Sequence, residues 1–356
     1  MRWYFPPAWP ARATMLTVIA IAIAGAACTS GPVASLPSTK SVATVVTTVT
    51  QSTRTQQDSS EPVTTATSTP PTISTIYQPR ALPNRTAPAD TQDGRWVVVA
   101  RLDGKPVVWA THHHPLSNDP AVIASAAIID QTSLSGVLYN GPLIPGQTGW
   151  SNGRRVQPQA APWLVAAFNG GFQLAHINGG YKTEGRVVAP LKVGQATLAI
   201  STSGQVSIGV FGFDIKDDGS WKSIFQNLFP VVQDAKVSID AYHVWWGADI
   251  GDRRVVPRSG VCTTIDSHLM FVYAAPVDIR PFADTMVAMG CRFGMELDMN
   301  GTWPHFATYS NFGTLLPRVG QLLDPRMRNP NRYLTSSEKS FIAFFDRTHL
   351  PSGIIG

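Results

Sequence analysis

The ordered part of the chain opens on a short apolar run, Trp96-Val97-Val98-Val99-Ala100, held between the turn signals Asp93-Gly94 and Asp103-Gly104-Lys105. Pro106 to Thr111 has the same character, so the two runs predict a β-hairpin. Val122 to Asp130 is apolar and fits either a strand or a helix. Trp163 to Phe168 is an apolar run that ends in Asn169-Gly170-Gly171-Phe172, as a buried strand feeding a tight turn does. Gln195 to Ile200 and Gln205 to Phe211 flank Ser203-Gly204, and Gly260 to Thr264 and His268 to Tyr273 flank Asp266-Ser267. Both pairs predict hairpins. Ile224 to Val232 is assigned to a helix and Val237 to Trp246 to a strand. Phe282, Ala283, Met286 and Val287 fall at helical spacing, with Gly290 placed to end the helix. Arg292 to Asn300 and Ser340 to Phe345 read as further strands. The expected fold is a single α+β domain of mostly antiparallel hairpin sheets with a few packed helices.

The N-terminal quarter has no such pattern. Arg2 and Arg12 precede a 13-residue apolar or small run, Met15 to Ala27. That is short of the ~20 apolar residues needed to span a bilayer and suits the h-region of an export signal over residues 1–28. Gly25-Ala26-Ala27-Cys28 resembles a lipobox, which makes Cys28 a lipidation site. Ala24 and Ala26 fit ordinary signal cleavage, and a retained anchor is the third possibility. The expected location is the outer face of the cell membrane as a lipoprotein, or the secreted fraction, with the lipid as the sole membrane attachment. Residues 29–75 hold 23 Ser or Thr among 47. Such a segment buries too little apolar area to offset its ordering entropy, so 29–90 reads as a disordered stalk and 91–356 as the folded domain.

Composition adds two limits. The formal charge is +5 and only 14% of residues are charged. No cluster of Lys and Arg is interleaved with aromatics, so no nucleic-acid partner is expected; the mild basic excess suits anionic substrates or an anionic envelope surface. Cys28, Cys262 and Cys291 are the three cysteines. In an oxidising compartment the last two form an even pair, which predicts a Cys262–Cys291 disulfide, with two buried free thiols as the alternative. The pattern shows no cofactor and no metal cluster; a divalent ion, if one were used, would sit with Asp298 and its neighbours.

Candidate chemistry concentrates in Met295-Glu296-Leu297-Asp298-Met299-Asn300-Gly301. Strand alternation puts Met295, Leu297 and Met299 in the core and Glu296, Asp298 and Asn300 on the opposite face. Two carboxyls at that spacing, with backbones ~6.6–7 Å apart, can part in pKa and serve as an acid/base pair, although a solvated strand face has the same pattern. Glycosidases use paired carboxyls at comparable separations. Gly170 and Gly171 let backbone approach a ligand, with Asn169 beside them as a donor. Arg258 offers a planar fork for phosphate oxygens. Lys182, Glu184 and Arg186 follow the Gly179-Gly180 turn at the edge of the same region. His176, His243 and His305 are lone histidines. His112-His113-His114 alternate faces on a strand and so do not readily share one ion. Trp245, Trp246 and Trp303 can stack on sugars or fill the core. Ser-hydrolase elbows, HExxH, Walker A and dinucleotide motifs are missing from the sequence.

Taken in order, Asn169 to Phe172, Arg258 to Val261, Phe282 to Cys291 and Leu297-Asp298 resemble the phosphodiester glycosidase family over about Trp96 to Phe345, as a divergent bacterial envelope member. Where the family has three Gly and a Ser after its Asp, this chain has Met299-Asn300-Gly301-Thr302-Trp303. The resemblance implies cleavage between an anomeric carbon and a phosphodiester oxygen of an envelope glycan. It casts Asp298 and Glu296 as catalytic carboxyls, and Arg258 as the phosphate ligand. Asn169, Gly170, Gly171, Asn300, Gly301 and Glu184 become substrate contacts. The altered residues after Asp298 also fit a glycan-binding lipoprotein that has lost the chemistry, and a glycosidase acting on neutral sugars is a third reading.

Overall fold

The computed structural model describes residues 77–85, 92–242, 246, 254–314, 316, 318–350 and 353–354. The expected signal, Cys28, most of the stalk, His243 and Trp245 lie outside them. The described residues belong to one compact unit, Pro71–Gly356.

The architecture is three antiparallel sheets, which corrects the α+β expectation. The first sheet has eight strands, in spatial order β1 (Val97–Leu102), β2 (Lys105–His113), β3 (Ile123–Ile129), β14 (Leu269–Val277), β13 (Val256–Thr264), β15 (Cys291–Met299), β11 (Val232–Gln233) and β12 (Lys236–Val237). The second has five: β7 (Arg186–Ala189), β6 (Tyr181–Thr183), β10 (Trp221–Gln226), β8 (Ala196–Ser201) and β9 (Val206–Val210). The third runs β17 (Gly320–Leu322), β16 (Phe306–Tyr309), β5 (Leu164–Asn169), β18 (Phe341–Asp346) and β4 (Leu134–Tyr139). Among the described residues there are two α-helices, α1 (Ile279–Ala288) and a single turn, α2 (Arg332–Thr335).

Two segments differ from expectation, and the first accounts for a lost helix. Ile224 to Val232 is the end of β10, then Pro230, then β11. The proline lacks the N–H and clashes with a preceding turn, so an apolar run that contains it cannot propagate as a helix. Val237 to Trp246 leaves the sheet after one residue and turns through a 3₁₀ helix at Ile239–Tyr242. The hairpins at Asp103-Gly104, Ser203-Gly204 and Asp266-Ser267 form as expected. So does α1, with Asp278 at its N-cap accepting from the Ile279 N–H at 2.7 Å and Gly290 following its end at φ +93°.

All three sheets contribute to one core. Val108, Val261 and Leu297 of the first meet Leu198 and Phe225 of the second and Phe168 and Phe344 of the third. The first sheet is buried on its other face too. There Trp109, Cys262 and Cys291 pack against Phe282 and Met286 of α1. Burial on both faces is why β3 and β14 read as near-continuous apolar runs. Cys262 and Cys291 form a disulfide with Cα atoms 5.6 Å apart. It joins neighbouring strands β13 and β15 across the excursion through β14 and α1. Packing also begins upstream of the expected boundary at 91. Tyr77 stacks on His268 with ring centres 3.8 Å apart, and the Leu82 N–H donates to Gly94 at 2.9 Å.

Candidate functional site

The face on which each candidate lies is decided by a bulge in β15. Gly260 pairs with Glu296, but Arg258 pairs with Met299. Three steps along β15 thus oppose two along β13, so one extra residue is inserted and the alternation of faces resets. Glu296 and Met299 end on the same side: both approach the Arg258 Nη1, at 2.8 and 3.8 Å. Asp298 turns the other way and meets the Lys339 Nζ at 2.5 Å. The expectation that Glu296, Asp298 and Asn300 share one face, with Met299 in the core beside Leu297, is therefore corrected.

Arg258 and Glu296 form a sealed pair. Both side chains are 0% exposed. The guanidinium spends its donors inside the protein: Nε on the Val277 carbonyl at 3.0 Å, Nη1 on Glu296, and Nη2 on the Arg254 and Trp246 carbonyls at 2.6 and 3.3 Å. Burial pushes the Glu296 carboxyl up, and Arg258 opposes that shift. Arg258 reads as the counter-charge of Glu296, with no donor directed at solvent.

On the opposite side, Asn169 gathers the other candidates. Its Nδ2 donates to the Ser259 hydroxyl at 3.0 Å and to the Gly170 carbonyl at 2.9 Å, and its Oδ1 accepts from the His305 N–H at 2.8 Å. The Ser259 hydroxyl in turn donates to the Asp298 carbonyl at 2.8 Å. Asn169 thereby ties the third sheet to the first beside Asp298, with its amide fully engaged by protein groups. Asn227 does the same from the second sheet. Its Nδ2 donates to the Glu296 and Leu297 carbonyls at 2.6 and 2.8 Å, and its Oδ1 accepts from the Phe172 N–H at 3.1 Å.

The two glycines serve close packing of the chain on itself. A Cβ on Gly170 would lie 2.3 Å from the Ser340 hydroxyl and 2.8 Å from its carbonyl oxygen. One on Gly171 would lie 3.1 Å from the Asn227 Oδ1. Gly170→Ala is expected to lower stability by about 1–3 kcal/mol, the usual range for overpacking. The urea midpoint reads this directly, and an unchanged midpoint would show that Ser340 moves aside freely.

Asp298 is 2% exposed. Burial pushes its carboxyl up to about 7, against the pull of Lys339 and of the Met299 N–H, which donates to Oδ1 at 2.9 Å. The Lys339 ammonium also lies over the Trp303 ring, 4.5 Å from its centre. Beyond Asp298 the chain turns sharply: Asn300 has φ +80°, and its Oδ1 accepts from the Thr302 N–H at 2.8 Å. Gly301 is exposed, with nothing within 4 Å of where a Cβ would be. A buried carboxyl held near neutrality, a buried lysine and an aromatic ring thus sit together where β15 ends, beside the exposed Gly301.

Other candidates fall elsewhere. Glu184 accepts from the Ser151 and Asn152 N–H groups at 2.8 and 2.9 Å and so organises that loop. Lys182 pairs with Asp217 at 2.6 Å, and Arg186 lies over the Trp150 ring. His305 is pushed down to about 3 by burial, which keeps its ring neutral in the pH range where a histidine usually titrates. His176 lies in a 3₁₀ turn, and Trp246 is buried. Among the described residues no three His, Cys, Asp or Glu side chains gather as a metal cluster. Sequence reasoning missed Lys339, Ser259 and Asn227. Lys339 carried one faint signal, a charge two residues before an apolar strand, but only the pairing of Phe341 with Asn169 brings it to Asp298.

No protein-family model matches the chain, and no curated protein matches it. Among solved structures, it is similar to the catalytic domain of a zebrafish N-acetylglucosamine-1-phosphodiester alpha-N-acetylglucosaminidase auto-inhibited by pro-peptide, at 13% identity and a TM-score of 0.44, over 70% of this chain and 87% of that one. A hypothetical protein from Synechocystis aligns at 11% identity and a TM-score of 0.40, over 70% of this chain and 64% of that one.

Proposed function

We propose that the chain is an exported cell-envelope hydrolase that cleaves a sugar–phosphate diester or related envelope glycan, with Asp298 as its general base. The observation that carries this reading is the Asp298 carboxyl, which burial holds near pH 7 beside Lys339 and Trp303. A base titrating at the working pH is efficient in abstracting a proton from water. The chemistry of the leaving group favours a phosphodiester over a neutral glycoside. A departing phosphate monoester is weakly basic and needs no dedicated acid, so one carboxyl suffices where a neutral glycoside calls for two. That fits a site in which Glu296 is turned away and bonded to Arg258. In this scheme Lys339 orients Asp298 and receives the phosphate, Trp303 offers a stacking face for the sugar, and Asn169 with Gly170 and Gly171 holds the floor. Arg258 and Glu296 stiffen β15 behind it. The N-terminal apolar run with Cys28 supports export and lipid attachment.

A second reading, glycan binding without turnover, is favoured by one observation: Asp298 is sealed beneath its neighbours. An assay of the purified chain on sugar-1-phosphodiesters and on neutral glycosides of the same sugar separates the two. Release of the phosphomonoester, with the neutral glycosides untouched, is the expected result. Binding without product from either class would leave the second reading standing and remove the first.

A further inference from the structure

Away from Asp298, two cavities join along the first sheet's edge hairpin. One has a volume of about 370 Å³ and lies between the β1–β2 hairpin and strands β16 and β17. The other, about 220 Å³, continues it and shares Val99, Thr308 and Gln321 with it. Along the first sheet, three strands separate β2 from β15, roughly 19 Å at ~4.8 Å per spacing. From Val97 to Arg101 it follows β1 for about 13 Å at ~3.4 Å per residue.

Its floor is apolar, with Val97, Val99, Phe306 and Leu322. Its walls carry His112, His114, Thr308 and Gln321, and its far end carries Ser310 and Phe312. The two imidazoles are held in defined tautomers. The Ser125 hydroxyl donates its proton to Asp324 at 2.5 Å, so the contact at 2.7 Å between Ser125 and the His112 Nδ1 needs an N–H on His112. The His114 Nδ1 lies 2.9 Å from Asp93, a carboxylate held below its ordinary range by its hydrogen bonds to His114 and the nearby His113 against the effect of burial, so it too carries the proton. With Nδ1 engaged inward, each ring keeps its Nε2 for another partner, and neither Nε2 has a hydrogen-bond partner among the described residues. Arg95 and Arg101, both exposed, stand along the same groove. Asp93, the single carboxylate on its walls, is committed to imidazoles.

We propose that this groove binds a strand of acidic glycan. Paired ring nitrogens fixed by a buried hydrogen-bond network match ligand hydroxyls, which both donate and accept. Thr308 and Gln321 can complete both senses of bond, and the apolar floor with Phe312 suits the C–H faces of sugar rings. The two guanidiniums select a chain bearing carboxylate or phosphate groups. A peptide added as a strand would use the backbone edge of β1, whereas the groove is walled by side chains of both β1 and β2. The site is independent of whether Asp298 is catalytic.

Affinity electrophoresis of the full chain in gels containing polygalacturonate, with dextran gels as the neutral comparison, tests it. Retardation in the acidic gel is expected, weakened about tenfold by Arg95→Gln with Arg101→Gln and by Gln321→Ala, since each loses a bond to a charged or polar ligand group. The arginine substitutions are on the surface, and the variant should keep the wild-type urea midpoint. Retardation in dextran alone, equal retardation of wild type and variants, or none in either gel would overturn the proposal.

Discussion

Asp298→Asn is expected to lower hydrolysis of a sugar–phosphate diester by about 10²–10⁴-fold, the contribution usual for a positioned acid or base. Asn keeps the shape and the Met299 N–H bond but cannot take a proton. The pH profile makes the test specific. With Asp298 as a base, kcat/KM of the wild type rises with pH through about 7, where its carboxyl loses its proton, and the residual activity of the variant lacks that limb. A profile that falls through 7 would mean that Asp298 acts as an acid. Undiminished activity would remove it from the mechanism. Stability carries the same signature with its own sign. The folded carboxyl, at about 7, lies above its unfolded value of 3.8. Between those values the folded state holds a proton that the unfolded state has lost, so stability falls as pH rises through that window. The shift of about three pKa units corresponds to at most ~4 kcal/mol. Urea denaturation at pH 5 and pH 8 should show a steeper loss for wild type than for Asp298→Asn, in which Lys339 lacks its counter-charge at either pH.

The largest stability effect is expected at Arg258. Arg258→Met leaves the Glu296 carboxyl buried without its cation, which typically costs about 3–5 kcal/mol. The loss should be smaller at acidic pH. Burial already raises the Glu296 carboxyl, and without Arg258 it rises further. Glu296 then keeps its proton in the folded state, and the penalty grows as pH climbs above the unfolded carboxyl range. Arg258→Met with Glu296→Leu, which removes both charges, should recover most of the loss, because well-packed apolar groups often replace a buried pair at little cost. Chemical denaturation of the two variants measures this. A single variant within ~1 kcal/mol of wild type would show that water or a mobile neighbour reaches Glu296, and that the pair is not sealed.

These two carboxyls also mark where sequence reasoning stopped. Apolar runs bounded by Gly, Asp and Ser located the hairpins, because strand period and turn chemistry are local properties. Cys262 and Cys291 could be paired by counting. The helix at Ile279–Ala288 was legible from its spacing and its closing glycine. Ile224 to Val232 differs from its helical expectation because an apolar run buried on both faces has no period of its own, and Pro230 interrupts any helix there.

What the sequence by itself determined is where most of the strands and hairpins lie, and that Asn169, Arg258, Glu296 and Asp298 stand out as candidate polar groups. What only the tertiary structure decided is how they are sorted. The alternation rule put Glu296 and Asp298 on one face, and one bulged residue in β15 separates them. Register depends on the partner strand, so nothing within Met295 to Gly301 encodes it. Lys339 lies 41 positions beyond Asp298 and reaches it because β18 pairs with β5. A contact of that kind exists only once three sheets have closed on a common core, and the potential that sets the Asp298 proton exists only there.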